Sequence, residues 1–323
     1  MKKYIPIMVF FVCGIIFSMV ADNYWLDIMV FALWYAYLCV TWNIIGGFGG
    51  QFTFAHPVFV AIGGYTSSLL FIHLGVSPWL GMFAGMVLAA LLAILLGWIN
   101  YRRRLPHLTY ALITLAITFV AIIVLRSSHF LGGSEGIFLP RGNDPLTFRF
   151  FNKQVYFWII LAATCLVLVF VTWFSRSMTG FKLTALRDNE DAAAMLGIDQ
   201  LKMVATYSAI SAALGAFGGT FYAQYLFVID PTVAGSHLAV EIILFTAIGG
   251  MGTVWGPVLG PLAMVVLIRY LNAEFVNISG LGQVVYGVII IVVLVVLKDG
   301  VVSWGGKRLA HQTSKLKMRE KRQ

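Results

Sequence analysis

Residues 175–203 read SRSMTGFKLTALRDNEDAAAMLGIDQLKM, the most charged stretch of the chain ahead of its final residues. It holds four acids (Asp188, Glu190, Asp191, Asp199) and four bases (Arg176, Lys182, Arg187, Lys202). The apolar runs on either side, 155–174 and 203–226, have the length of about 20 residues that an α-helix needs to cross a bilayer. A polar island between two such runs is a loop joining membrane spans, and that reading decides the fold class. Inside the island, 187–197 carries the marks of one short helix. Asp188 stands as its N-cap, and Glu190 and Asp191 face the positive end of the first turn. Ala192 and Ala193 open an alanine-rich body, and Gly197 is placed to end it in a left-handed conformation. A helix this short is marginal alone in water. It needs a surface to pack on, and the expectation is a docking element for a cytoplasmic partner.

Working outward, the chain is 60% hydrophobic and only 11% charged over 323 residues. Soluble proteins carry about 25% charged residues, so an all-α polytopic membrane protein is expected. Apolar windows at 4–21, 25–45, 57–72, 78–99, 108–126, 155–174, 203–226, 238–250, 255–271 and 284–297 predict about ten transmembrane segments. Cytoplasmic segments are rich in Lys and Arg. With the N-terminus inside, the inner segments hold Lys2, Lys3, Arg102, Arg103, Arg104, Arg176, Lys182, Arg187, Lys202, Lys298 and the seven bases after it, 17 in all. Outside fall Arg126, Arg141, Arg149, Lys153 and Arg269, which is 5. Both termini and the 175–203 loop are therefore expected in the cytoplasm. Residues 1–300 are expected to form the transmembrane domain and 301–323 a basic tail. The opening MKKYIPIMVFFVCGIIFSMVADN has a signal-like outline, but it lacks a clean cleavage site and runs at once into another apolar stretch, so it reads as the first span.

The formal charge of +9 comes from bases at segment ends and in the tail, which suits a membrane surface and gives no reason to expect nucleic acid. Cys13, Cys39 and Cys165 lie in apolar runs without metal-ligand spacing, so neither a metal nor a cofactor is expected. The phosphate-cradling G-x-x-x-x-G-K-[ST] loop and H-E-x-x-H are missing. His56 and His129 near span ends and His73 in an outer turn read as polar interfacial residues. An enzyme is not expected.

Two apolar regions, 44–64 and 245–261, are broken by glycine and proline, and both contain I-G-G-x-G. Irregular backbone at membrane depth persists only when buried in protein or lining a watery path, and paired interruptions point to a transport pathway. Candidate pathway residues are Gly46, Gly47, Gly49 and Gln51 in the first region and Gly249, Gly250 and Gly252 in the second. Glu241, an acid inside the span before the second, is a further candidate, although it stands only a turn from the outer boundary. The competing reading for the glycines is close helix packing, as the G-x-x-x-G pairs Gly81/Gly85, Gly215/Gly219 and Gly256/Gly260 suggest.

These residues carry a resemblance. Asp191-Ala192-Ala193 followed by Gly197 resembles, with Asp for Glu, the E-A-A-x-x-x-G coupling loop of ABC-importer permeases; the I-x-L-P ending of that signature is missing. TALRDNEDAAAMLGI, YSAISAALGAFGGTFYA, GGFGGQFTFAHPVFVAIGGYTSSLL, LGGSEGI and AIGGMGTVWGPVLGP are similar to the permeases of branched-chain amino-acid ABC importers, of the M rather than the H type. The likeness covers residues from about 40 to 270. It implies a non-catalytic permease of a bacterial inner membrane that pairs with a homologous permease, two cytoplasmic ATPase subunits and an extracytoplasmic solute-binding protein. It implies alternating access driven by ATP, with Arg187, Asp188, Glu190, Asp191, Ala192, Ala193 and Gly197 as the ATPase-coupling helix. The alternatives are an ion-coupled carrier acting alone, for which the intramembrane acids are few, and a scaffold, which has no need of broken spans.

Overall fold

Every apolar window contains a helix. The computed structural model describes residues 2–103, 105–275, 281–296 and 300–301. In order come α1 (Ile5–Val20), α2 (Asn23–Asn43), α3 (His56–Leu74), α4 (Pro78–Arg103), α5 (His107–Ser127), α6 (Lys153–Phe174), α7 (Met178–Asp188), α8 (Glu190–Met195), α9 (Gln200–Leu226), α10 (Ser236–Gly249), α11 (Gly256–Glu274) and α12 (Leu281–Val296). Seven of these, α2 to α6 with α9 and α11, are long and apolar enough to cross a membrane; α1, α10 and α12 are apolar but shorter. The protein is thus an all-α polytopic membrane protein. Arg104, and the expected tail at 301–323 beyond Val301, lie outside the described residues.

One small departure from helix is a two-residue ribbon. Strand β1 (Ile137–Phe138) pairs antiparallel with β2 (Val228–Ile229), Ile137 opposite Ile229. It ties the 128–152 loop to the end of α9. At this same end of the bundle Lys153 pairs with Asp27 at 3.0 Å, and the Tyr225 hydroxyl donates to the same carboxylate. The opposite end gathers Arg102, Arg103, Arg187 and Lys202 with the α7–α8 segment, and is called the basic end below.

Glycine decides the central packing. Helices α3, α4 and α9 pack mutually against one another. A Cβ on Gly63 would sit 1.9 Å from the Ala216 carbonyl oxygen, and one on Gly219 would sit 1.8 Å from that of Val60. Ordinary C···O contacts are about 3.3 Å or more, so only hydrogen fits and the two backbones meet directly. Gly85 meets Gly63 from the α4 side, and Gly260 of α11 faces the Phe245 carbonyl of α10 in the same way. The Thr220 hydroxyl donates to Gly63 O across the α3–α9 seam at 3.1 Å. Lipid gives helices no hydrophobic reason to associate, so contacts of this sort hold them together.

Candidate functional site

The site is built at the basic end, where the two glycine-broken regions meet. Helix α2 does not stop at Asn43; it runs on through one π-helical turn, Ile44–Phe48. Such wide turns tend to mark functional positions. The turn is buried throughout. Asn43 reaches from its base to the loop between α10 and α11: its Oδ1 accepts from the Gly252 N–H at 2.8 Å, and its Nδ2 donates to Thr253 O at 2.9 Å. One side chain thus satisfies a donor and an acceptor of a non-helical segment. Gly47 makes room for it, since a Cβ there would lie 1.9 Å from Asn43 Oδ1.

The chain after the π-turn, 49–55, is irregular yet hidden, and its polar groups are met by protein. Gln51 N–H donates to Ile45 O, Trp42 Nε1 donates to Thr53 O at 2.9 Å, and Asn100 Nδ2 donates to Gln51 Oε1 at 2.8 Å. Helix α5 grips Phe54 by its backbone alone: Phe54 N–H donates to Thr114 Oγ1, and Thr118 Oγ1 donates to Phe54 O, both at 3.0 Å. Buried main-chain groups without such partners would each cost about 1–3 kcal/mol.

The charged segment joins this junction through Arg187. Its Nη1 donates to Gly47 O at 3.1 Å. Its stem lies over Gly50, where a Cβ would meet Arg187 Cγ at 2.3 Å, and Nη1 would be 3.1 Å from a Cβ on Gly252. Gly50 and Gly252 hold positive φ, +67° and +70°, a conformation glycine adopts without a Cβ penalty. Asp188 fixes the guanidinium by accepting from Nε at 3.1 Å and Nη2 at 3.0 Å.

The short docking helix forms with a different beginning from the one its sequence suggests. Residues 187–197 are not one helix. Asp188 closes α7, and the N-cap of α8 is Asn189, whose Oδ1 accepts from Ala192 N–H at 2.9 Å. Asn189 is extended (φ −160°, ψ 109°) and breaks the chain direction. Glu190 and Asp191 do occupy the first turn. Gly197 has φ +76°, with Ile198 N–H bonding Ala193 O at 3.1 Å and Gly197 N–H bonding Ala194 O at 2.9 Å, which is the Schellman pattern. Ala193 is buried against the bundle, whereas Met195 and Leu196 are 89% and 80% exposed. Behind α8 a cavity of about 580 Å³ opens toward Asn100, Tyr101 and His107. Asp199 caps α9, and the Lys202 N–H it accepts holds its carboxyl below the usual range.

Of the pathway candidates, the structure brings Gly47 of the first region against Gly252 of the second, whereas Gly49 packs on Ile45 and Gln51 bonds Asn100. Gly46 abuts the Trp42 ring and Gly249 the Gly256 carbonyl. Glu241 stands apart, eight residues up α10 or about 12 Å at 1.5 Å per residue. It is mostly buried, accepts from the Tyr35 hydroxyl at 2.6 Å and lies 3.4 Å from His237 Nδ1. His56 corrects a sequence expectation: it is 1% exposed, not interfacial, with Nε2 3.1 Å from Thr41 Oγ1. Residues 132–136, GGSEG, match the letters of a G-x-S-x-G nucleophile elbow. They form a turn that leads into β1, whereas the elbow requires a strand entering and a helix leaving. Asn43 and the α5 threonines went unnoticed in the sequence, although a lone Asn between an apolar span and I-I-G-G is a visible signal.

A family model described as branched-chain amino acid transport system, permease component, matches residues 24–294. The permease protein LivM of the high-affinity branched-chain amino acid transport system of Escherichia coli is 27% identical over 268 residues, 74% of this chain and 62% of that protein. LivH of Salmonella typhimurium is 24% identical over 287 residues, 83% of this chain and 90% of that protein. A probable LivM of Methanocaldococcus jannaschii is 26% identical over 241 residues, 67% and 68% of the two chains. The match thus spans under two thirds of the length of the Escherichia coli relative. No solved structure matches the chain significantly. The chain belongs to the branched-chain amino acid permease family.

Proposed function

We propose that, as a member of this permease family, the chain forms one half of the membrane channel of an ATP-driven importer for branched-chain or related amino acids. A homologous permease supplies the other half, two cytoplasmic ATPase subunits bind at the basic end, and an extracytoplasmic solute-binding protein delivers substrate at the ribbon end. Ten crossings, with both termini in the cytoplasm of a bacterial inner membrane, accommodate this arrangement, with α1, α10 and α12 as the shorter spans. The observation that carries the reading is the joint at the basic end. A short capped helix, exposed at Met195 and Leu196, begins three residues after Arg187, whose guanidinium holds the glycine junction. That connects a surface fit for a partner to the ends of α2 and α10.

Mechanistically, the ATPase moves α8, α7 follows, and the inner ends of α2, α10 and α11 rearrange to admit or release substrate. The chain contributes position and movement, and no bond is made or broken on it. Purification with its neighbouring ATPases, second permease and binding protein, followed by leucine, isoleucine and valine uptake into liposomes, tests the proposal. Uptake that requires ATP and the binding protein is expected. Uptake by the chain alone under a proton or sodium gradient would replace this reading with an ion-coupled carrier.

A further inference from the structure

Two side chains at the basic end do more than fill space. Arg187 and Asn43 both bond to main-chain atoms of segments far from them in sequence, and both enter slots that glycines leave open. Three separate parts of the chain thereby meet within one residue of each other: the end of α7, the π-turn after α2, and the α10–α11 loop. The bonds sort into two kinds. Asn43 joins the π-turn to the loop from within, buried and with two bonds. Arg187 joins the π-turn to the end of α7 from without, through a single bond to Gly47 O beside Gly252, with its side chain 38% exposed. Water competes for a single bond from a half-exposed guanidinium, so a stroke of the attached ATPase can break and remake it, while the internal pair, buried and doubly bonded, stays whole.

We propose that Arg187 is the positioning residue that transmits movement from the ATPase-bound segment to the pathway end. It acts as a detachable pin in the Gly47/Gly50/Gly252 slot, and Asn43 keeps the π-turn and the α10–α11 loop moving as one body. Asp188 aligns the pin through its two bonds to the guanidinium. The inference rests on the importer reading above and adds the part of the chain through which coupling passes.

The test compares two replacements in the complete importer, reconstituted in liposomes with binding protein and supplied with leucine, isoleucine or valine. Arg187→Met keeps an apolar stem over Gly50 and removes the donor; Arg187→Lys keeps a charged donor at nearly the same reach. The readout is the number of ATP molecules hydrolysed per substrate imported. Arg187→Met is expected to raise that ratio tenfold or more with the ATPase still bound, and Arg187→Lys to lie within about threefold of the parent. Equal ratios in the two variants overturn the pin, because the donor then has no part in coupling. Failure of Arg187→Met to assemble, with Arg187→Lys assembling, also overturns it, in favour of a purely structural bond. A parent complex that neither binds ATPase nor imports any of the three amino acids defeats the importer reading itself, and so is distinguishable from both.

Discussion

Asn43→Ala is the perturbation whose consequence the structure sets most directly. It removes the acceptor of Gly252 N–H and the donor to Thr253 O, at 2.8 and 2.9 Å. Each abandoned main-chain group costs about 1–3 kcal/mol when buried. Gly252 and Thr253 are only partly buried, so water reaches them once the side chain is gone, and the pair together loses about 2–3 kcal/mol. At 1.4 kcal/mol per factor of ten, local opening becomes roughly 30- to 150-fold more frequent. Amide hydrogen exchange of the purified protein, followed on a peptide spanning 246–256, reads this as an equal acceleration at Gly252. Peptides from the α3–α9 seam should keep parental protection, since nothing at Gly63 or Gly219 changes. Unaltered exchange at Gly252 would refute the reasoning. So would a uniform rise across α3 and α9, which would make Asn43 a prop for the whole bundle.

Gly219→Ala and Gly63→Ala each force apart backbones that would stand 1.8–1.9 Å from the new Cβ; overpacking of this kind costs about 1–3 kcal/mol, expected as a lowered melting temperature in detergent. Asn189→Ala removes the α8 cap at a cost of about 1 kcal/mol and should weaken ATPase co-purification, whereas Asp188→Ala leaves that cap in place. Gly197→Asn, at a position with open space around it and a residue that tolerates left-handed backbone, should leave helicity by circular dichroism unchanged; a loss of ATPase binding would then place position 197 in the partner's contact.

The spans were legible because hydrophobic length is a local property: the window 108–126 becomes His107–Ser127, and 155–174 becomes Lys153–Phe174. The left-handed glycine at 197 was legible for the same reason. What the sequence hid was long-range. Asp188 and Asn189 are adjacent residues that both favour N-caps; Asn189 takes the cap, while Asp188 ends α7 and accepts from Arg187. His56 looked interfacial because it opens a span, yet the ring is enclosed against Gly215 on α9, a neighbour 159 positions away in the sequence. The broken regions 44–64 and 245–261 were visible as interruptions, but the partners that hold their irregular backbone, Asn43, Trp42 and the α5 threonines, lie in no local pattern. Periodicity reports which face is apolar and carries no information about which distant carbonyl a polar side chain will meet.

The grip of α5 on Phe54 has a consequence for how this region tolerates change. Among the described residues α5 is buried only at Tyr110, Ala111, Thr114 and Thr118, a single stripe at helical spacing, and its two threonines address peptide atoms and not a side chain. The attachment is therefore blind to the identity of residue 54: any amino acid but proline presents the same N–H and C=O. Position 54 answers to α5 only through its main chain, its ring being constrained instead by Phe52 and the core, while 114 and 118 must each keep a hydroxyl. The loop side of this joint is thus set by packing and the helix side by hydrogen bonding.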